Sequence, residues 1–342
     1  MLVLFLDPLP PVAQGMPEQF FGGHEVLVGQ ASGPLPEGWQ SAEAIVWSQR
    51  ALDASTISSM PQLRLLQRIG FYRATGDVSQ LASPEVRVSV LPHGTAARVA
   101  EHTLALIMGL VRGLVPSHQS VVEGSNPLGY TPEERVGATP TVNWAQVPNL
   151  QSLWFKKVGI VGFGEIGSVL AQLLRPFRCD VVYFKRTRLT DAEETGFGVS
   201  YSSLDDLLAT SDIVCNLLPT NDATRGLLGA SKLALMKKTG FFINTGRAAT
   251  TDEKALIELL RRGKIAGAGL DVFDLEPLPP GHPLVGLPNV LLTPHTAGGT
   301  PSGAVNGLAG WTDTFRAIAE NLRRVEAGEP LLTMLRTPTA QP

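Results

Sequence analysis

Val158-Gly-Ile-Val-Gly162-Phe-Gly164-Glu-Ile-Gly167 is the stretch from which the rest of the chain is read. A short apolar run breaks into G-x-G-x-x-G, and a helical pattern (Val169, Leu170, Leu173, Leu174) follows at once. Strand, glycine turn and helix in that order are what a dinucleotide pyrophosphate requires. Gly162 permits the tight turn, Gly164 lets the backbone approach the phosphates, and Gly167 lets the helix pack closely on the strand. The helix N-terminus then offers N–H groups and the positive end of its dipole to an anion. Isolated glycines mark ordinary turns; placed between a strand and a helix, these three point to a nucleotide site.

Downstream the alternation is regular. Strands are expected at Asp180–Phe184, Ile213–Leu218, Gly240–Asn244, Gly267–Val272 and Val290–Leu292, with helical patterns such as Leu204–Ala209, Ser231–Met236 and Asp252–Arg262 between them. Apolar strands alternating with helices argue for a doubly wound parallel sheet covered on both faces. Upstream, Leu2–Leu6, Glu25–Val28, Ala44–Trp47, Leu63–Ile69 and Val86–Leu91 are strand candidates spaced for a small parallel α/β domain. Thr95–Leu114 is helix-forming and apolar nearly all round, the pattern of a helix buried at a domain or subunit junction. Residues 115–150, rich in Pro, Gly, Asn and Thr, suggest an extended arm. A last helix is expected over about 301–327.

The 342 residues suffice for about two domains, and 44% apolar with 17% charged residues fits a globular chain with a large core. A net charge of −3 gives no positive field to recruit nucleic acid or an anionic membrane. The two cysteines, Cys179 and Cys215, lie in apolar strand-like runs and read as inert buried thiols, with no metal-ligand spacing. The N-terminus, Met1-Leu-Val-Leu-Phe-Leu, lacks a basic leader and reads as a first strand. No apolar run approaches the roughly 20 residues of a bilayer span. The expected setting is cytoplasmic.

Four motifs together carry a resemblance: Val158–Gly167, Asn244-Thr-Gly-Arg247-Ala, Gly269-Leu-Asp-Val-Phe-Asp-Leu-Glu276-Pro, and Thr293-Pro-His295-Thr-Ala-Gly-Gly-Thr300. In this order the chain resembles the D-isomer-specific 2-hydroxyacid dehydrogenases. The resemblance implies a Rossmann domain, residues 95–299 with an arm at about 115–150, inserted in a smaller flavodoxin-like α/β substrate domain, residues 1–94 with 300–342 returning to it. It implies an active site in the cleft, a hinge that closes to exclude water, and a homodimer to which His93-Gly94 and residues 115–150 contribute.

The family's catalytic Arg, Glu and His fall on Arg247, Glu276 and His295. A guanidinium fork holds a carboxylate and polarises the adjacent carbonyl. An imidazole gives a proton to the alkoxide as hydride arrives and takes it back in the other direction. Glu276 orients the ring and favours imidazolium. Each has a plainer reading: a surface arginine, a loop glutamate before Pro277, a histidine satisfying a turn carbonyl. Their order, all at strand ends where open α/β sheets bind ligands, favours the catalytic one. The resemblance further assigns Gly162, Gly164, Glu165, Ile166, Gly167, Leu218, Pro219, Thr224, Thr245, Gly246 and Gly298 to the cofactor's surroundings, with Arg247 and His295 beside it. Asp271 is given to the carboxamide and Thr103 to a phosphate.

Two departures matter. The second strand of the nucleotide domain runs into Lys185-Arg186-Thr187-Arg188 with no carboxylate before Asp191. An acid there would bind the ribose 2′-OH and repel a 2′-phosphate, and basic groups do the reverse. Lys185, Arg186 and Thr187 therefore point to NADP, with NAD the alternative, and resemble the glyoxylate and hydroxypyruvate reductases of the family. In the loop that binds substrate, Gly70-Phe71-Tyr72-Arg73 stands where the family has a small G-V-G turn. Two outcomes are expected here: the aromatics narrow the pocket or stack on a substrate while Arg73 pairs with a second acidic group, or Tyr72 points away and the backbone contacts of the turn are kept. The leading expectation is a reductase of small 2-oxo acids. The competing expectations are a non-enzymatic nucleotide sensor like the family's corepressor branch, and a formate- or phosphite-type dehydrogenase on the same fold.

Overall fold

In the computed structural model, residues 1–50, 52–70, 85–124, 143, 145, 147–299 and 308–332 are described. The chain divides into two compact units, Met1–Arg98 with Gly298–Pro342, and Val99–Ala297.

The first unit holds five parallel strands, β1 (Leu2–Phe5), β2 (Glu25–Val28), β3 (Ala44–Trp47), β4 (Leu65–Ile69) and β5 (Arg87–Leu91), in the order β2-β1-β3-β4-β5. Strict alternation sends Val3, Phe5, Ala44, Val46 and Leu65 to one face, and Leu4, Leu6, Ile45, Trp47 and Leu66 to the other. Short helices α1 (Met16–Phe20) and α2 (Ala54–Ser58) connect these strands. On the first face Phe5, Phe21 and Phe315 stack with centroids 5.3–6.0 Å apart. Phe315 belongs to the last helix (Leu308–Ala327), which lays Phe315, Ile318, Leu322 and Val325 on the sheet at helical spacing. Its buried Asn321 donates to Gln67 Oε1 (2.7 Å), Ser89 Oγ (3.0 Å) and the Leu332 carbonyl (2.9 Å), which ties the segment after this helix to β4 and β5.

The long helix α3 (Gly94–Val111) buries Ala96, Val99, Ala100, Thr103, Leu106, Ile107 and Val111. In the second unit it packs closely on the strands that hold Gly269 and Leu291: a Cβ added at Gly269 would lie 3.1 Å from the Leu106 Cβ, and one added at Gly109 2.7 Å from Leu291 Cδ2. One expectation is corrected here: residues 115–123 are not an extended arm but part of helix α4 (Leu114–Glu123). Pro116 lies in its first turn, where no amide is needed, and left-handed Gly113 and Gly124 bound it. The turn-rich composition belongs to the residues beyond it, of which 125–142 lie outside the described set.

The second unit is a seven-stranded, wholly parallel sheet: β6 (Lys157–Val161), β7 (Asp180–Phe184), β8 (Ser200–Tyr201), β9 (Ile213–Asn216), β10 (Phe241–Asn244), β11 (Gly267–Leu270) and β12 (Val290–Leu292). Its order is β12-β11-β10-β9-β6-β7-β8, the doubly wound arrangement expected. The intervening helices are α5 (Glu165–Leu174), α6 (Asp191–Phe197), α7 (Leu204–Thr210), α8 (Ala230–Leu233) and α9 (Glu253–Arg261), with the last helix becoming α10. Their starts are chemically specified. Thr190 and Glu193 form a capping box on α6, Ser203 caps α7 and Asp252 caps α9. Cys215 is buried in β9, and burial pushes its thiol far above the ordinary range. Burial also pushes the Cys179 thiol up, to about 11. Both suit inert thiols. Among the described residues no single helix is long and apolar enough to cross a membrane.

Candidate functional site

The chain leaves β6 for β7 and β8, then crosses back to β9 on the other side. Such a reversal opens a crevice at the carboxyl ends of β6 and β9, where open α/β sheets take ligands. The three glycines of the turn lie there and differ in what surrounds them. Gly162 has φ +93°, and an added Cβ would stand 3.0 Å from the Leu217 carbonyl carbon and the Leu218 nitrogen. At Gly164 an added Cβ meets nothing within 4 Å, so the space above its backbone is open. At Gly167 the Cβ would sit 3.2 Å from Ile160 Cγ2 and 3.3 Å from Phe163 Cδ2, which is close helix-on-strand packing. Helix α5, whose first turn holds Glu165, Ile166 and Gly167, begins at Gly164 with no side-chain cap hydrogen bond. Open space over an uncapped helix start fits a phosphate-bearing ligand.

Beyond the ends of β10, β11 and β12 the three charged candidates, Arg247, Glu276 and His295, come together in part. His295 Nδ1 lies 2.7 Å from Glu276 Oε2, while the Phe273 amide donates to Glu276 Oε1 at 3.0 Å. A carboxylate only accepts, so Nδ1 carries hydrogen and Nε2 is the nitrogen open to proton exchange. The imidazole is 48% exposed, which leaves that nitrogen reachable. Burial opposes ionisation of Glu276, but the bonds from His295 and Phe273 and the charges of His295 and Arg247 outweigh it. Its carboxyl is held below the usual range. Arg247 is exposed just past β10; its Nη1 donates to the Gly246 carbonyl at 2.7 Å, leaving the rest of the fork available.

Beneath Arg247 lies a buried network that sequence reasoning missed. Asn216 and Asn244 are register partners at the ends of β9 and β10. Asn216 Nδ2 donates to Thr250 Oγ1 (2.7 Å), Asn244 Oδ1 (3.2 Å) and Thr251 Oγ1 (3.2 Å). Asn244 Oδ1 accepts from the Gly246 amide at 3.1 Å. The available signal was an amide closing each of two adjacent apolar strands. At Gly246 a Cβ would lie 2.9 Å from Leu218 N and O, so the two loops touch backbone to backbone. Leu218 is buried, Pro219 is exposed, and Thr224 donates to the Pro219 carbonyl at 2.6 Å, which closes that loop.

Other candidates are placed differently from their expected roles. Thr103 is fully buried, its hydroxyl 2.7 Å from both the Val99 carbonyl and Thr245 Oγ1, so it is not open to a phosphate. Asp271 is also fully buried, and both its oxygens accept from the 293–297 loop rather than facing outward. Gly298 is exposed just beyond that loop. Within the basic run after β7, Arg188 is taken up by a two-pronged pair with Glu194 (2.8 and 3.0 Å), which also accepts from the Tyr183 hydroxyl at 2.7 Å. Arg186 and Thr187 are exposed, Lys185 is half-buried, and Arg186 has no ion-pair partner among the described residues. Gly70, immediately after β4, has φ +90° and donates to the Leu91 carbonyl at 2.7 Å; Phe71, Tyr72 and Arg73 lie outside the described residues.

Comparison with known proteins adds to this geometry. Residues 104–297 match the family profile described as D-isomer specific 2-hydroxyacid dehydrogenase, NAD binding domain. The glyoxylate/hydroxypyruvate reductase B of Escherichia fergusonii is 33% identical over 327 residues, covering 93% of this chain and 94% of that protein. The glyoxylate reductase of Aeropyrum pernix is 37% identical over 252 residues, 73% of this chain and 71% of that one. Among solved structures, the NADPH-dependent glyoxylate/hydroxypyruvate reductase of Sinorhizobium meliloti in complex with citrate superimposes with a TM-score of 0.51 at 28% identity, covering 97% and 96% of the two chains.

Proposed function

The chain belongs to the D-isomer specific 2-hydroxyacid dehydrogenase family and is an oxidoreductase; from that premise we propose that it reduces a small 2-oxo acid of the glyoxylate or hydroxypyruvate kind to the D-hydroxy acid, with NADPH as the preferred nucleotide. The observation that carries the reading is the 2.7 Å His295–Glu276 pair: against burial, its hydrogen bond, with that from the Phe273 amide and a smaller contribution from the Arg247 charge, holds the Glu276 carboxyl below its usual range. When bound, the nicotinamide supplies or removes the hydride.

This chain's own residues do the rest. The amides at the start of α5 and the open backbone at Gly164 take the pyrophosphate, with Gly162 and Gly167 shaping the turn. Arg186 and Lys185, at a strand end with no carboxylate, take the 2′-phosphate. The Arg247 fork grips the substrate carboxylate and draws electron density from the neighbouring carbonyl. His295 Nε2 gives its proton to the carbonyl oxygen as that oxygen becomes an alkoxide, and recovers it in the oxidative direction. Glu276, held on Nδ1, fixes the tautomer and compensates the imidazolium charge. The exposed apolar side chains Val121, Val122, Trp154 and Phe155 support a homodimer as part of this reading.

Oxidation of NADPH and of NADH with glyoxylate, hydroxypyruvate and larger 2-oxo acids tests it, with formate and phosphite assayed in the opposite direction. Turnover of a 2-oxo acid is expected, and Arg247→Ala and His295→Ala should each cost at least about a hundred-fold in kcat/KM. Turnover undiminished in both variants, or confined to formate or phosphite, would overturn the proposal.

A further inference from the structure

His295 stands in a backbone conformation that has to be held. Its φ is +52°, in the left-handed region, a conformation that residues other than glycine keep only where the surroundings enforce it. The enforcing group is Asp271, immediately after β11. One carboxylate oxygen accepts from the Thr293 hydroxyl (2.6 Å) and the Thr296 amide (2.9 Å), and the other from the Ala297 amide (2.9 Å). Bonds to a charged acceptor are stronger than neutral ones, and three of them from one carboxylate hold the loop in this conformation.

A further side chain joins from α3. His102 Nε2 lies 2.9 Å from Thr293 Oγ1 and 3.4 Å from Asp271 Oδ1. The Thr293 hydroxyl has one proton, and its short contact with an accepting carboxylate uses it. What Thr293 Oγ1 presents to His102 is therefore a lone pair, and His102 Nε2 must carry a hydrogen.

We propose that His102 is a positioning residue for the reaction. Its Nε2–H, donated to Thr293, completes a chain His102–Thr293–Asp271 that fixes the 293–297 backbone and so the point at which His295 presents its proton. The inference rests on the function proposed above. His102 touches neither substrate nor cofactor in this scheme. It acts through the loop, and misplacement of a reacting group by about 1 Å costs on the order of a hundred-fold in rate.

Thr293→Val removes the relay at nearly constant volume, Thr293→Ser keeps the hydroxyl, His102→Leu removes the donor and His102→Gln restores an N–H at similar reach. In steady-state assays, Thr293→Val and His102→Leu should lower kcat by about ten-fold or more, with the nucleotide KM little changed. Thr293→Ser and His102→Gln should recover most of the loss. Unchanged kcat in Thr293→Val, or Thr293→Ser as slow as Thr293→Val, overturns the inference. A measurement independent of variant folding is the long-range proton–nitrogen NMR spectrum of 15N-histidine-labelled wild type, assigned with His102→Gln. A hydrogen on His102 Nε2 supports the chain, and an Nδ1–H tautomer with bare Nε2 overturns it. If the wild type reduces no 2-oxo acid, the proposed function fails while this spectrum still decides the tautomer; an active wild type with indifferent variants sinks the positioning role alone.

Discussion

Replacing each of the three turn glycines by alanine should separate folding from nucleotide binding, because the structure gives the added methyl a different reception at each. Gly164 is extended (φ −109°, ψ −152°), and the methyl meets nothing within 4 Å. At a compatible backbone, Gly→Ala stabilises by about 0.4–1 kcal/mol through the unfolded chain. Gly164→Ala should therefore unfold at the wild-type denaturant concentration or slightly above it. At Gly162 the methyl faces both a left-handed backbone worth about 1–3 kcal/mol and the chain of Leu217–Leu218 at 3.0 Å, which cannot yield without moving β9. Gly162→Ala should lose at least about 2 kcal/mol of stability. Gly167 falls between: alanine gains about 1 kcal/mol of helix propensity, offset by contacts of 3.2–3.3 Å with the side chains of Ile160 and Phe163.

Affinity for NADPH should rank differently. In Gly164→Ala the methyl stands where phosphate oxygens must approach the amides of α5. Loss of one or two charge-assisted bonds at about 1.5–3 kcal/mol each converts to at least about ten- to hundred-fold in Kd. Urea unfolding without ligand gives the first ranking, and NADPH fluorescence titration gives the second. Saturating nucleotide should also raise the unfolding midpoint of the wild type more than that of Gly164→Ala. A Gly164→Ala protein that binds NADPH as the wild type does, or that is as unstable as Gly162→Ala, refutes the reasoning.

Two further outcomes are specific. Arg186→Ser should raise the KM for NADPH by about ten-fold or more and leave that for NADH nearly unchanged, since Arg188 is already committed to Glu194; equal effects on both nucleotides would remove Arg186 from 2′-phosphate recognition. The pH dependence of stability should carry the mark of His93, half-buried against the edge of Trp311 (4.8 Å), whose burial lowers its pKa from the ordinary 6.5. The native state then binds fewer protons than the unfolded chain below about pH 6.5, so that part of the stability is complete above this pH and is lost as pH falls toward the native value. Urea midpoints of wild type and His93→Asn should differ by a constant above that pH and converge or cross below it; a constant difference down to pH 5 would refute the assignment.

The doubly wound sheet could be read in the sequence because it is written locally, in apolar runs, capping residues and a glycine turn, each within ten residues. Most strands end where hydrophobicity places them, but β9 stops two residues before the expected Leu218. There Asn216 closes the strand, and its side chain takes over hydrogen bonding to partners up to 35 residues away. Helix α4 was hidden by averaging its ten residues with the turn-rich segment that follows. The candidate site divides along the same line. His295 and Glu276 were legible as residue types suited to the chemistry, and the structure brings them into contact. The resemblance gave Asp271 to the carboxamide, whereas here both of its oxygens accept from the loop on which His295 sits. His102 carried only the signal of a polar residue in an apolar helix, 191 residues from the threonine it holds. A group that touches substrate must have a particular chemistry, and that shows in its identity. A group that holds such a residue in place needs only a hydrogen-bonding atom at the right point in space, and that point is fixed by the fold.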